Sequence, residues 1–529
     1  MRRRRSAAFL LLIIFLLLTA LLAAPPKPAQ NRDRALPDRI ATVLGAPDLS
    51  RGFWGIEVVS SATGEMLYSQ NADKLFTPAS NTKLFTTAAA LALIGPDYKF
   101  RTTVETTGTL DRYGRLNGDL VLVGHGDPNL SGRELPYDIR TQRNDDPIQA
   151  LEALADALVQ KGVKFIDGDI VADDSYFAFE RYGEGWSQDD LVWADGAPVS
   201  ALTVNDNVVF VNILPADRPG EKAFVSVKPF AEYYRLDNRI ITTPAGTGRK
   251  FFVNREPGST VVTLWGNMPV DDPGANEALA IEDPAEFAAG LFSQLLEKRG
   301  IVIYGHQRTR HTELAALSTF SVNAIAPSRG GDGLSRSLKA DQFVTLASYE
   351  SKPLLEDVQV INKVSQNLHA EILLRLLGRE RGNAGSIEGG LEVLRGFLTQ
   401  AGISSDQYVF YDGSGLSRQN LVTPHAVVQL LRYSATQPWG ASYRKTFPVG
   451  GVDGSLSERL NLPRLQNRIM AKTGSLGGVK TLSGYATTDS GQAVVFSILS
   501  NNFNLPAKRV TDAIDALVLA ILDDAPAGR

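Results

Sequence analysis

The chain reads as an α/β protein whose main domain is interrupted by a β-rich insertion. Three observations predict this. A strand–helix opening over 52–94 gives way to a long stretch of short strands rich in threonine and valine. Helical patterning dominates from 346 to 398. The chain then closes on two strands and an apolar helix, the counterpart of its opening, which places one domain on both sides of the gap.

The elements follow in order. Residues 52–70 alternate in part (Gly55-Ile56-Glu57-Val58-Val59) around an Ala62-Thr63-Gly64 turn, the pattern of a hairpin. Thr77-Pro78-Ala79-Ser80 opens an apolar helical run to Leu93-Ile94, stopped by Gly95-Pro96. From Lys99 the character changes. Residues 100–123 read as strands with turns at Arg112-Tyr113-Gly114 and Asn117-Gly118, followed by a helix over 146–161 and a strand over 163–173. Further strands are predicted over 208–214, 222–227, 239–243, 250–254 and 259–266, between turns rich in Pro, Gly and Asp. Helices are predicted over 282–299 and 424–435, and strands over 481–486 and 493–499. The last helix, 510–522, has no basic face, so burial against the closing strands is favoured over a membrane-surface role. The expected organisation is a leader over 1–24, a proline-bearing linker over 25–37, the main domain over 38–98 and 278–529, and the inserted β-rich domains over 99–277.

Composition narrows the chemistry. The 529 residues carry a net charge of −4 and no basic block beyond the first five residues, which argues against nucleic acid as a partner. There is no cysteine, so disulfides, thiolate zinc sites and cysteine nucleophiles are excluded. The five histidines (His125, His306, His311, His369, His425) are scattered, with no HExxH helix, so no histidine-based metal site is expected, while carboxylate-held ions stay open. At the N-terminus Arg2–Arg5 precede an apolar run over 7–24 and then Pro25-Pro26, the layout of an export signal. The run is long for a signal and lacks a clean A-x-A site. Both a cleaved signal and an uncleaved membrane anchor fit, and either exports the rest of the chain.

Three short motifs carry chemistry. In Ser80-Asn81-Thr82-Lys83 a serine at the start of a helix has a lysine one turn on, on the same face. Serine needs a base to become a nucleophile, and the apolar run behind Lys83 would bury the amine and lower its pKa into a useful range. A second match, Ser442-Tyr443-Arg444-Lys445, is followed by Thr446-Phe447-Pro448 rather than an apolar helix and reads as chance. Ser365-Gln366-Asn367 supplies a hydroxyl and an amide at the start of a long helix. Lys472-Thr473-Gly474-Ser475 reads as a strand, with Lys472 and Gly474 facing one way and Thr473 the other. There Lys472 offers charge to a carboxylate, Thr473 a hydroxyl, and Gly474 close approach for a substrate backbone. Asp173-Asp174 cannot act as a pair, since strand neighbours face opposite ways, and these two read as solvated turn residues.

S-x-x-K, S-x-N and K-T-G in that order, at 80, 365 and 472, match the motif set of penicillin-binding proteins and β-lactamases. From about Gly52 to Leu522 the chain resembles the class C low-molecular-mass penicillin-binding proteins, which are D-Ala-D-Ala carboxypeptidases and endopeptidases. Pro78-Ala79-Ser80-Asn81-Thr82-Lys83-Leu84 resembles the family's nucleophile segment. Gly118-Asp119-Leu120-Val121-Leu122, Gly126-Asp127-Pro128, Val204-Asn205-Asp206-Asn207 and Leu236-Asp237-Asn238 resemble parts of its inserted region. Ser365–Glu371 and Asp412-Gly413-Ser414-Gly415-Leu416-Ser417-Arg418 are the most family-specific stretches.

The resemblance implies a penicillin-recognising (β-lactamase/transpeptidase-like) domain interrupted by β-rich domains. It also implies an exported enzyme acting on peptidoglycan stem peptides and acylated by β-lactams, with no cofactor. Ser80 would be the nucleophile, Lys83 its base, Ser365 with Lys472 a proton donor, and Asn367 a substrate-amide ligand. Thr473 would bind the substrate carboxylate with Lys472, and the backbone N–H groups of Ser80 and Ser475 would form the oxyanion hole. A β-lactamase or esterase on the same scaffold and a non-catalytic wall-binding protein are the alternatives. Gln366 and His369 depart from the commoner family choices, and His369 reads as helix filling rather than a catalytic group. Residues 327–341 read as an extra loop.

Overall fold

A computed structural model describes residues 35–128, 130, 147–229, 233–317 and 343–523. The leader over 1–24, most of the linker and the loop expected over 327–341 lie outside the described residues.

The first helix, α1 (Leu36–Leu44), begins within the last residues expected as linker, with Pro37 in its first turn, where a missing N–H costs nothing. The expected hairpin follows as β1 (Phe53–Ser60) and β2 (Met66–Gln70). Helix α2 (Thr82–Leu93) is buried over almost its whole length, which is why its sequence is continuously apolar rather than amphipathic. The chain then runs through β3 (Lys99–Thr106), β4 (Leu120–Val123), α3 (Gln149–Gln160) and β5 (Ile170–Ala178). Next come β6 (Val208–Leu214), β7 (Phe224–Lys228), β8 (Arg235–Thr243), β9 (Lys250–Asn254), β10 (Val261–Pro269) and β11 (Ala275–Ala280). After α4 (Pro284–Lys298) and β12 (Gln307–Thr312) the chain returns along β13 (Val344–Pro353). Helices α5 (Leu354–Val364), α6 (Asn367–Arg381), α7 (Ile387–Gln400) and α8 (Pro424–Ala435) lead to β14 (Ile469–Leu476), β15 (Val479–Thr487), β16 (Ala493–Asn501) and α9 (Ala507–Leu522).

The main domain is built on an antiparallel sheet in the order β2-β1-β16-β15-β14. Both faces are covered, so β16 is apolar on both. Val494, Phe496 and Ile498 pack with α1 and α9, and Val495 and Leu499 with α2 and α8. Helix α9 is thus buried against the closing strands, as expected. No described helix is long and apolar enough to cross a membrane. In the insertion a five-stranded sheet runs β12-β5-β4-β3-β13, beside two three-stranded sheets, β7-β6-β11 and β8-β10-β9. Because β3 and β13 are antiparallel neighbours, with Lys99 opposite Pro353, the insertion leaves and re-enters the main domain at one point.

That return lies well past the boundary expected at 277/278. Helix α4 and β12 belong to the insertion: Phe287, Leu291, Phe292 and Leu296 share a core with Leu151, Ile170 and Ala172. An amphipathic pattern shows that a helix buries a face but not which layer receives it. Helical structure likewise starts at Leu354 rather than 346, because 344–353 form the edge strand β13. Asp173 and Asp174 are not solvated turn residues. Both are buried on β5, and their partners alternate on β12 in the same way. Asp173 accepts from Arg310 at 2.8 Å; Asp174 pairs with His311 Nδ1 at 2.7 Å and accepts from Ser200 at 2.8 Å. Buried carboxylates are tolerable with such partners, which come from distant sequence.

Candidate active site

Ser80 lies in a single 3-10 turn, Ala79–Asn81, ahead of α2. Lys83 is in the first turn of that helix and donates from Nζ to Ser80 Oγ at 2.9 Å. The same Nζ donates to Asn367 Oδ1 and to the Ser414 carbonyl, each at 2.6 Å. All three acceptors are neutral oxygens. Burial therefore dominates and pushes the ammonium down to about 8, opposed by the more distant carboxylates of Asp412, Glu371 and Asp195.

The Ser414 carbonyl is aimed by a backbone cage that the motifs do not mention. Glu371 Oε1, from α6, accepts from the N–H groups of Gly413 and Ser414 at 2.9 and 2.8 Å. Asp412 accepts from the N–H groups of Gly415 and Ser417 at 2.8 and 2.6 Å. Gly415 has φ +84°, and a Cβ there would sit 1.8 Å from the Ala79 carbonyl oxygen. Only glycine lets this loop close on the nucleophile turn. These residues fall in the two most family-specific stretches of the sequence, but nothing in their spacing announced that they serve Lys83.

Ser365 sits between α5 and α6 with φ 63°, so it ends one helix rather than capping the next, and Gln366 provides the cap of α6. Its Oγ accepts from Lys472 Nζ at 2.8 Å, and that Nζ also donates to the Thr473 carbonyl at 2.8 Å. Lys472 is inaccessible to solvent. The strand carrying it is the edge strand of the main sheet and presses directly on the nucleophile turn. Asn81 Nδ2 donates to the Lys472 carbonyl at 3.2 Å, and Thr481 Oγ1 to the Pro78 carbonyl at 3.0 Å. A Cβ on Gly474 would lie 2.8 Å from that carbonyl oxygen and 3.0 Å from Ser80 N. The glycine is required by this approach of strand to turn, where close contact with a substrate backbone had been expected.

The motif residues converge on one cavity of about 750 Å³. Ser80, Ser365, Asn367, Thr473, Gly474 and Ser475 line it, while Lys83 and Lys472 lie behind its wall. The insertion supplies a further wall. Asn367 Nδ2 donates to the Asp195 carbonyl at 2.9 Å, and Asp190, Trp193 and Asp206 face the cavity beside it. Ser442–Lys445 takes no part: it lies in a short helix (Gly440–Lys445) that does not line the cavity.

The profile of the D-Ala-D-Ala carboxypeptidase 3 (S13) family matches residues 36–319 and 331–521. The chain belongs to this family. It is a class C low-molecular-mass penicillin-binding protein, a serine-type hydrolase of the D-Ala-D-Ala carboxypeptidase class. The D-alanyl-D-alanine carboxypeptidase of Actinomadura sp. (strain R39) is 34% identical over 493 residues, covering 90% of this chain and 83% of the relative. D-alanyl-D-alanine carboxypeptidase DacB of Haemophilus influenzae is 26% identical over 458 residues, covering 83% of each. The fold is that of the crystal structure of penicillin-binding protein 4 from H. influenzae. The two share a TM-score of 0.75 at 24% identity, with 92% of this chain and 98% of the other covered. The expected α/β fold with inserted sheet domains therefore stands.

Proposed function

We propose that this S13 family member cleaves the bond between two D-alanines at the end of peptidoglycan stem peptides, or the equivalent cross-link, through an acyl-enzyme on Ser80. The observation that carries this is the hydrogen bond from a buried, pKa-lowered Lys83 to Ser80 Oγ. A neutral amine 2.9 Å from the hydroxyl can take its proton as Oγ attacks the carbonyl carbon. The backbone N–H groups of Ser80 and Ser475 receive the oxyanion. The scissile C–N bond breaks, and the leaving amine takes a proton from Ser365, which recovers one from the Lys472 ammonium bonded to it. Asn367 spends its carbonyl oxygen on Lys83 and one N–H on Asp195; its second N–H serves the substrate amide. Thr473 and the charge of Lys472 bind the terminal carboxylate. Water then hydrolyses the ester: Lys83 hands its proton back to Ser80 Oγ, one proton of the water restores the Lys472 ammonium, and the other leaves with the products as the free amine is protonated. A β-lactam offers the same carbonyl in a ring and stays attached. The site of action is outside the cytoplasm, in the periplasm or at the outer face of the membrane, reached through the N-terminal export segment.

Intact mass after incubation with benzylpenicillin tests this reading. The expected result is a stable adduct that maps to the Ser80 peptide and is absent in Ser80→Ala. Hydrolysed penicillin without an adduct would move the chain to the β-lactamases, and no reaction at all would remove Ser80 as nucleophile.

A further inference from the structure

Gln366 and His369 depart from the commoner choices of the family within the second motif, and neither is used by the mechanism above. The structure brings both onto one carboxylate of the insertion. Asp206 Oδ2 accepts from Gln366 Nε2 at 3.1 Å, and Asp206 Oδ1 lies 3.2 Å from His369 Nε2. The other ring nitrogen of His369 is 2.7 Å from Asp357 Oδ1 on α5. The histidine and both aspartates are buried, and Gln366 is half-buried. An imidazole with a carboxylate at each nitrogen donates from both and carries a charge. His369 is therefore not helix filling but a cation clamped between two helices and the insertion.

The loop that delivers Asp206 is built for the task. Asn205, Asp206 and Asn207 are consecutive residues with φ of 53°, 54° and 53°. Asn205 Nδ2 bonds the Val208 carbonyl at 2.6 Å, and Asn207 Nδ2 the Pro198 carbonyl at 2.8 Å. Three successive left-handed non-glycine residues persist where surrounding bonds over-determine them, and such strain collects at functional sites. Ser365 and Gln366 join the two clamped helices, and Ser365 is itself left-handed at φ 63°. Its flanks are tied on both sides. On one, Asp357 joins α5 to His369 on α6. On the other, Gln366 caps α6 through Leu368 N at 3.0 Å while holding Asp206.

We propose that His369, Gln366 and Asp206 form a positioning device through which the insertion holds the Ser365 hydroxyl where it protonates the leaving amine. This rests on the role given to Ser365 in the proposed function. The device does not touch the reacting atoms, and its effect is confined to steps that need the proton.

Leaving groups separate that effect from a loss of general integrity. An amide needs a proton on its departing nitrogen, whereas a thioester releases a thiolate that needs none. The full chain and its His369→Gln and Gln366→Met variants are compared on a D-Ala-D-Ala peptide and on the matching thioester. Expected is a fall of about tenfold to a hundredfold in kcat on the peptide, the scale of an ångström-sized misplacement. KM and thioester turnover should stay within about twofold. Gln366→Met removes no buried charge and carries the test if His369→Gln fails to fold. Equal losses on both substrates, or no loss on the peptide, overturn the proposal. A wild-type enzyme inert on both substrates overturns the proposed function itself, and the positioning role with it.

Discussion

Lys83 and His369 are both shut off from solvent, yet burial leaves them with opposite tendencies. Lys83 bonds three neutral oxygens and is pushed down to about 8. His369 loses its hydration too, but carboxylates stand at both ring nitrogens, and it is raised from 6.5 to about 9. Desolvation penalises charge equally in kind at the two sites. What differs is whether the first contact is a dipole or an anion. The active site keeps its carboxylates one contact away from Lys83, so the amine is available as a base. The junction with the insertion puts carboxylates in direct contact, so the imidazolium acts as a fastener.

The largest effect expected is on Lys83. Replacing it by methionine keeps the volume and removes the base, and acylation of Ser80 by benzylpenicillin should fall by about 10²- to 10⁴-fold in stopped-time mass measurements. A variant that acylates at the wild-type rate would assign the proton transfer elsewhere. Next is the pH profile. Lys83 is active as the neutral amine, so kcat/KM should rise with pH through an apparent value of about 8 and fall about tenfold per pH unit below it. A rise placed near the ordinary lysine value of 10.5 would show that burial does not set the base.

Stability should run the other way at the junction. The folded value of His369 lies above its ordinary 6.5, so its contribution is complete below that value and is lost as pH rises through about 9. His311, paired with Asp174 and Asp283 and raised to about 10, adds a loss of the same sign. The difference between wild type and His369→Asn in denaturant titrations across this range isolates the His369 share. It should shrink as pH rises, and a constant difference would mean that the ring is neutral in the folded protein. The smallest effect concerns Asp195, an exposed carboxylate that raises Lys83 from a distance. Asp195→Asn should move the acid limb of kcat/KM down by about half a pH unit or less. A shift upward would contradict the assigned sign.

The sequence-based reading recovered elements with strong local signals. The strands Val208–Leu214 and Lys250–Asn254 and the helix Pro424–Ala435 appear with the expected bounds. Where layers had to be assigned it failed: α4 patterns like any half-buried helix, and its place in the core of the insertion depends on β5 and β12. Asp173 and Asp174 looked solvated because their partners lie on a strand more than a hundred residues away. Gln366 and His369 were visible as departures, but Asp206, which gives them meaning, sits some 160 positions earlier.

By itself the sequence determined the motif residues, their order, the α/β class and the presence of an insertion. Those depend on local spacing: a serine and a lysine one turn apart, a glycine in a strand, an apolar run that can form only a buried helix. The apolar run already implied a buried Lys83 with a lowered pKa; tertiary structure alone decided that His369 keeps its charge and which oxygens meet Lys83 and Lys472. Ionisation inside a protein is set by the atoms in contact, and Lys83, Lys472 and His369 each have a deciding contact from a distant part of the chain: Asn367 and Ser414, Ser365, and Asp206.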